Sequence, residues 1–473
     1  MNSKTNVRNE KSDFYKIIMN EKTFYIYVVS CMIIIPASEL ISEIFDLGFI
    51  QSFILTIYGI IGGLLSFAKL YYNIKQSGIK WQDIFFISLF GFSFIALIFS
   101  KDIENSITGL DYDELPTHFL AYYSLMYSAF QLEKTKHRRS VIYIFAGLSF
   151  FEGIIGIFQS FEIKIQDVMF DISDHQVYGL TQNTNFFGGL SVIFVGITLA
   201  LLVFSKKKLT LIVNSIGFAI AIYCSFNTMA RLAWVGDLAV FTFMIISIVI
   251  MKIKKSKKTG DSQVITDGKS RVEKNIFSVY LRRYILAVLI TIVIVALSFI
   301  KSDIPLSRIK QSIEEVNGEA EAGFGSGRGY IWSYCLESVP KHWITGIGLD
   351  NLKMCFTENQ AWHEGMHYQD KAHNEYLHTL STQGVLALLN YLALLGFSLR
   401  MAVSRIVNTS NEDERIIAWT FLAAFSGYIV QAFFNSSIIN VAMYFWVVIG
   451  MLNPRARKII ISTTSKANRE LFE

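Results

Sequence analysis

Four short stretches of this chain bring together residue types able to do chemistry. In N-T-M-A-R-L-A-W (227–234), Asn227 or Thr228 stands where it can cap an apolar helix that follows, with Arg231 in the first turn. A guanidinium beside the free N–H groups and positive end of a helix makes an anion site suited to phosphate; an arginine there can also simply snorkel to a membrane interface. In G-F-G-S-G-R-G-Y-I-W (323–332), three glycines precede Arg328 and one follows it. Such glycines let backbone amides and a guanidinium approach a ligand, or supply flexibility alone, and the Lys-Ser/Thr ending of a P-loop is missing. In D-K-A-H-N-E-Y-L (370–377), His373 precedes another apolar run. Its imidazole can take a proton from a hydroxyl, or it can be a structural histidine.

The fourth stretch, H-E-G-M-H-Y-Q-D-K-A-H (363–373), competes with these assignments. His363 and His367 at helical spacing can ligate zinc with Glu364 as base, and His373 falls at the spacing of a third ligand. Two features count against a zinc protease. Asp370 stands where the longer motif has a turn-forming glycine, and Gly365 weakens the helix.

The elements that must position these residues are membrane helices. Of 473 residues, 52% are apolar and 14% aromatic, only 17% are charged, and there are 5 prolines. Runs such as Phe53 to Phe67, Ile84 to Phe99, Val192 to Phe204 and Tyr284 to Phe299 are nearly free of charge. With their flanks each approaches the roughly 20 residues that cross a bilayer as helix. None alternates polar with apolar as a membrane barrel strand would. An all-α polytopic bundle of about 12 transmembrane helices is therefore expected. The spans centre near residues 32, 58, 92, 124, 149, 194, 218, 242, 292, 390, 425 and 444.

Charge orients the bundle. Of 43 Lys and Arg residues, 33 fall in every second connecting segment starting with the N-terminal tail, and 10 in the others. The positive-inside rule makes the rich side cytoplasmic and places both termini inside. The net charge of +5 is then topological, and no nucleic-acid partner is expected. The polar start, Met1 to Lys22, has no cleavable-signal pattern, so the first span is expected to be retained. The richest basic stretch, Lys252 to Arg283, reads as a flexible cytoplasmic loop near anionic lipid. The chain accordingly divides into a bundle of nine spans over 1–300, a polar extracytoplasmic loop over 301–380, and three spans with a cytoplasmic tail over 381–473. That outer loop holds five of the eight histidines, and loops of such length usually carry function. The four cysteines show no framework spacing; Cys335 and Cys355, both in the outer loop, could still pair.

From Gly327 to Leu399 the succession G-R-G-Y-I-W, P-K-H-W-I-T-G-I-G-L and A-H-N-E-Y-L, followed by Gly384 and an apolar span, resembles the bacterial O-antigen ligase and polymerase superfamily. The earlier blocks G-L-T-Q-N-T-N-F-F-G-G-L (Gly179 to Leu190) and A-R-L-A-W (Ala230 to Trp234) are similar to that family's other blocks. The resemblance implies a glycosyltransferase of the bacterial cytoplasmic membrane with its active site outside. Arg231 and Arg328 would hold the diphosphate of an undecaprenyl-linked oligosaccharide donor, with Trp332 and Asn374 also touching substrate. His373 would activate the hydroxyl of a glycan or glycolipid acceptor. No metal and no cofactor are implied, and attack from the opposite face would invert the anomeric carbon. Ala230 departs from the serine many members carry before the arginine, which puts a hydroxyl contact in doubt. Abundant Ile, Lys, Asn and Phe suggest an AT-rich genome and lean the expectation towards a polysaccharide polymerase over a ligase. A transporter or flippase of lipid-linked sugars is the alternative from another class, with Glu152 and Asp237 as its intramembrane charges. The repeat symmetry and midplane helix breaks of transporters are not visible in the sequence.

Overall fold

The computed structural model describes residues 20–455 apart from 46, 49, 110–113, 164–175, 261–266, 319–324 and 359–368, and omits the side chains of 43 and 253–276. The described residues form sixteen helices and no strand. In chain order these are α1 Glu21–Phe45, α2 Ile50–Ser77, α3 Trp81–Ile98, α4 Ile103–Thr108, α5 Pro116–Phe130 and α6 Thr135–Ser160. There follow α7 Thr184–Val203, α8 Lys208–Asn227, α9 Arg231–Gly260, α10 Asp267–Lys301 and α11 Ile304–Asn317. The last five are α12 Arg328–His342, α13 Met354–Glu358, α14 Glu375–Asn408, α15 Glu412–Gln431 and α16 Ile439–Leu452. Each of the twelve span centres expected from the sequence falls inside one of these helices, and among the described residues nine helices are long and apolar enough to cross a membrane.

The remaining three expected spans, α5, α15 and α16, are largely buried within the bundle. At ~1.5 Å per residue the 14 residues of α16 reach only about 21 Å, short of a hydrocarbon core. The helix is buried nearly throughout and packs against α5, α7 and α15, so its ends meet protein, not lipid. At the centre α7 has 94% of its span window buried, against 11% for α10, whose Leu289, Ile292, Val293 and Leu297 point outward as lipid-facing side chains do. Close crossings are made by small residues: a Cβ on Gly196 of α7 would lie 2.6 Å from the Ala424 Cα of α15.

The connecting segments sort to two ends. At one end Lys101 N–H donates to the Ile347 carbonyl (3.0 Å), Val177 N–H to Asn227 (2.9 Å), Asn435 Nδ2 to Asn185 (2.9 Å) and Glu375 N–H to Ala432 (2.9 Å). At the other, Lys134 N–H donates to Glu21 (2.9 Å), Arg139 pairs with Asp413 (2.7 Å) and Arg455 with Asp83 (2.5 Å). This is the alternation that the basic residues trace in the sequence.

Two of the polar connecting segments carry helices. The described part of Lys252 to Arg283 is helical: α9 continues to Gly260 and α10 begins at Asp267, with 261–266 outside the described residues. Lysine is a good helix former, so charge there marks an exit from the apolar layer, not an end of helix. The described part of the long polar segment after α10 contains the helices α11 to α13 and a small core of its own. Cys335, Ile347, Leu352, Cys355, Phe356, Ala372 and Leu377 form that core, and the free thiols of Cys335 and Cys355 are in hydrogen-bonding contact there.

Candidate functional site

Arg231 is the first residue of α9. The cap expected before it is not of the expected kind. Asn227 closes α8 and donates to Ser298 (2.9 Å), while the Thr228 hydroxyl accepts from Ala230 N–H (3.1 Å). The chain turns through Met229 at φ +54°. The Arg231 fork is engaged by a residue the sequence did not point to: Glu315 of α11, with Nη1–Oε2 2.9 Å and Nη2–Oε1 2.8 Å. Ser312 and Ser326 complete it at 3.0 and 2.9 Å. Burial works to raise the Glu315 carboxyl, but the bonds and charge of Arg231 and the amides of Gly325 and Ser326 hold it below its ordinary value.

The Gly-rich turn ties the second arginine to the first. Gly325, Ser326 and Gly327 all have positive φ (+65°, +56° and +90°), a run that only glycine adopts freely. It curls back so that Gly325 N–H donates to Glu315 (3.1 Å), then launches α12 at Arg328. The Arg328 guanidinium makes no hydrogen bond among the described residues. Burial, then the charge of Arg231, lower its pKa, and Glu315 opposes them.

His373 stands at φ +47°, in the left-handed region that non-glycine residues avoid. Three supports hold it there. Trp332 Nε1 donates to the carbonyl of Ala372 (3.0 Å). The Asn374 side chain caps α14 by accepting from Leu377 N–H (2.9 Å). Lys371, fully buried, pairs with Glu114 and with Asp350 (3.3 Å). Burial works against the Lys371 charge, but its two carboxylates hold its pKa above the ordinary value, while burial pushes Glu114 up to about 7. Burial, then Arg328 and Lys371, push His373 down to about 4, so the imidazole is neutral at physiological pH. Its Nδ1 is buried and has no partner among the described residues.

A backbone crossing fixes the distance between the loop and α14. Ile347 N–H and Gly348 N–H donate to Ser381 and Thr382 (2.9 and 3.0 Å), and Val385 N–H donates to Trp343 (2.7 Å). Gly384 breaks α14 at φ +86° to admit this contact, and a Cβ there would strike the Ile344 carbonyl. Asn351 anchors the same loop to α4 and its approach, donating to Ser100 (2.6 Å), Asp102 (2.8 Å) and Ser106 (3.0 Å).

Arg231, Arg328 and His373 thus come from three segments and meet at one end of the bundle, each within the electrostatic reach of the next. Trp332 and Asn374 sit beside them, with the polar atoms named above engaged in holding backbone. His363, Glu364 and His367 lie outside the described residues. The cations flanking His373 disfavour a bound dication, which counts against its being a third zinc ligand. Glu152 and Asp237 have local partners: Glu152 accepts from Leu180 N–H (3.0 Å) in the Gly179 to Leu190 block, and Asp237 accepts from Ser225 (2.7 Å). Sequence reasoning missed Glu315, Lys371 and Glu114. Lys371 was within a quoted block, where a lysine beside a functional histidine was a usable signal; nothing in spacing links Glu114 or Glu315 to their partners.

A multi-pass, all-helical membrane protein with a cationic, histidine-bearing cluster at one end is the class defined by this arrangement. A family model described as O-antigen ligase matches residues 216–392, from α8 through Arg231, Arg328 and His373 into α14, and supports the O-antigen ligase and polymerase superfamily. The match supports a ligase or polymerase type of function, with lipid-linked polysaccharide and glycan as partners. The Gly179 to Leu190 block lies outside the matched segment. No curated protein matches the chain.

Proposed function

We propose that this protein is a glycosyltransferase that polymerises or transfers a glycan from an undecaprenyl-diphosphate-linked donor onto an acceptor sugar hydroxyl at the outer face of the cytoplasmic membrane. Polymerase is favoured over ligase on the compositional ground given above. In this reaction His373 removes the proton of the acceptor hydroxyl, the new C–O bond forms at the anomeric carbon from the face opposite the diphosphate, and the diphosphate leaves on its prenyl chain. Arg231 and Arg328 stabilise the charge that develops on the leaving oxygen, so no metal is required and the anomeric configuration inverts. The observation that carries this proposal is a neutral imidazole, its Nδ1 without a partner among the described residues, lying in the field of Arg328, whose guanidinium lies in turn in the field of Arg231.

The same geometry supports a tuning step. In the free protein Arg328 helps to keep the imidazole a weak base. A diphosphate lying on the arginines cancels part of that positive field, so His373 becomes more basic when a hydroxyl is to be deprotonated. The test mixes purified protein with undecaprenyl-diphosphate glycan and follows product length, with and without a chelator. Glycan extension that survives chelation and disappears in His373→Ala supports the proposal; extension lost with metal and restored by zinc overturns the metal-free mechanism.

A further inference from the structure

Between α3, α5, α14 and α16 lies a cavity enclosing about 590 Å³ of empty space, its open mouth included. Glu375 and His378 of its wall sit on the first two turns of α14, immediately after His373, and Glu114 reaches it from the Lys371 cluster. Three polar side chains of the wall have atoms that are buried and unpartnered among the described residues: the Tyr122 hydroxyl, His378 Nδ1 and Asn390 Nδ2. Tyr122 and His378 are 2% and 8% exposed. Leaving such atoms unbonded is costly, and a prenyl chain would leave all three so. Trp446 adds an aromatic ring to the same wall.

From this juxtaposition we infer that the cavity is the subsite for the acceptor sugar, and that it takes an uncharged pyranose. Hydroxyl groups of such a ring both donate and accept, which matches a phenol, an imidazole and an amide, while its C–H face packs on an indole. Glu375, which accepts from Ser437 N–H (2.7 Å), disfavours uronate or phosphate groups on the ring, while Glu114 is already paired with Lys371. The wall includes the start of α14, the helix that directly follows the residue proposed as base. This inference rests on the transferase proposal for its meaning, but sugar binding is measurable without turnover.

The probes are methyl glucoside and methyl N-acetylglucosaminide as neutral sugars and glucuronate as the charged control, read by saturation-transfer NMR on the full chain in micelles. Transfer to at least one neutral glycoside and not to glucuronate is expected. Tyr122→Phe and Asn390→Leu each weaken binding about fivefold, the effect of one lost hydrogen bond. Tyr122→Phe removes only a hydroxyl that holds nothing else, so it decides the matter if Asn390→Leu does not fold. Absence of transfer to either glycoside, equal transfer to glucuronate, or unchanged binding in Tyr122→Phe overturns the inference. Turnover on the same samples separates the two proposals. Wild-type turnover without glycoside binding leaves the transferase standing and removes the subsite; Tyr122-dependent binding in a protein without turnover does the reverse.

Discussion

Arg231 already holds the kind of ligand its proposed role requires: a bidentate anion, supplied here by Glu315. A donor diphosphate must displace or share that carboxylate. Glu315→Gln therefore lowers the KM for donor, because the freed guanidinium no longer exchanges one anion for another; an increased KM would make Glu315 a positioning group instead. Arg231→Lys and Arg328→Lys keep the charge but lose the fork, and each costs about 2 kcal/mol of transition-state stabilisation, roughly thirtyfold in kcat/KM. The pH profiles follow from His373. Its neutral form is active, so rates fall as pH drops through its pKa. That limb lies near pH 4 for kcat/KM, which reports the free enzyme, and higher for kcat, which reports the donor complex. Coincident limbs would remove the tuning step. At this scale the sequence was legible where glycines marked a turn, as in the run of three positive φ values before Arg328. It was illegible where a partner came from an unremarkable helix, as for Glu315 in Q-S-I-E-E-V.

Elements turn these residues into a site through backbone that is costly to form. Six described non-glycine residues have positive φ, and Met229, Ser326 and His373 among them lie at or within two residues of the three site residues. Strain of that kind persists only where the surroundings over-determine it. Gly384 is one surrounding element: Gly384→Ala both forces an L side chain to φ +86° and drives a Cβ into Ile344, so thermal stability and activity fall together. The Lys371 cluster is another. Lys371→Met leaves Glu114 and Asp350 buried without their cation and destabilises by about 3–5 kcal/mol, measurable as a lower denaturation midpoint; adding Glu114→Gln recovers part of the loss. Apolar runs made the span helices readable. The helices α11 to α13 were hidden because a polar surface and a small separate core leave no long apolar run, and the extension of α9 was hidden because lysine was read as loop.

At the scale of the whole molecule, the connections at the site end are those poor in lysine and arginine, apart from Arg231, Arg328, Lys371 and a few others. The account puts that end outside the cell and both termini inside. A cysteine at position 259 is therefore inaccessible to an impermeant reagent in intact cells, while one at Ser307 reacts; labelling at 259 alone would invert the topology and with it the site. The buried acids Glu152 and Asp237 accept from a loop amide and a neighbouring serine. Proteoliposomes loaded with undecaprenyl-diphosphate glycan and an acceptor decide most directly between changing the glycan and moving it. The account predicts a longer or transferred glycan from the native protein, and from His373→Ala no product despite retained donor binding, since a base acts in the transition state. Near-normal turnover by His373→Ala, or translocation of intact donor with its glycan unchanged, would contradict it.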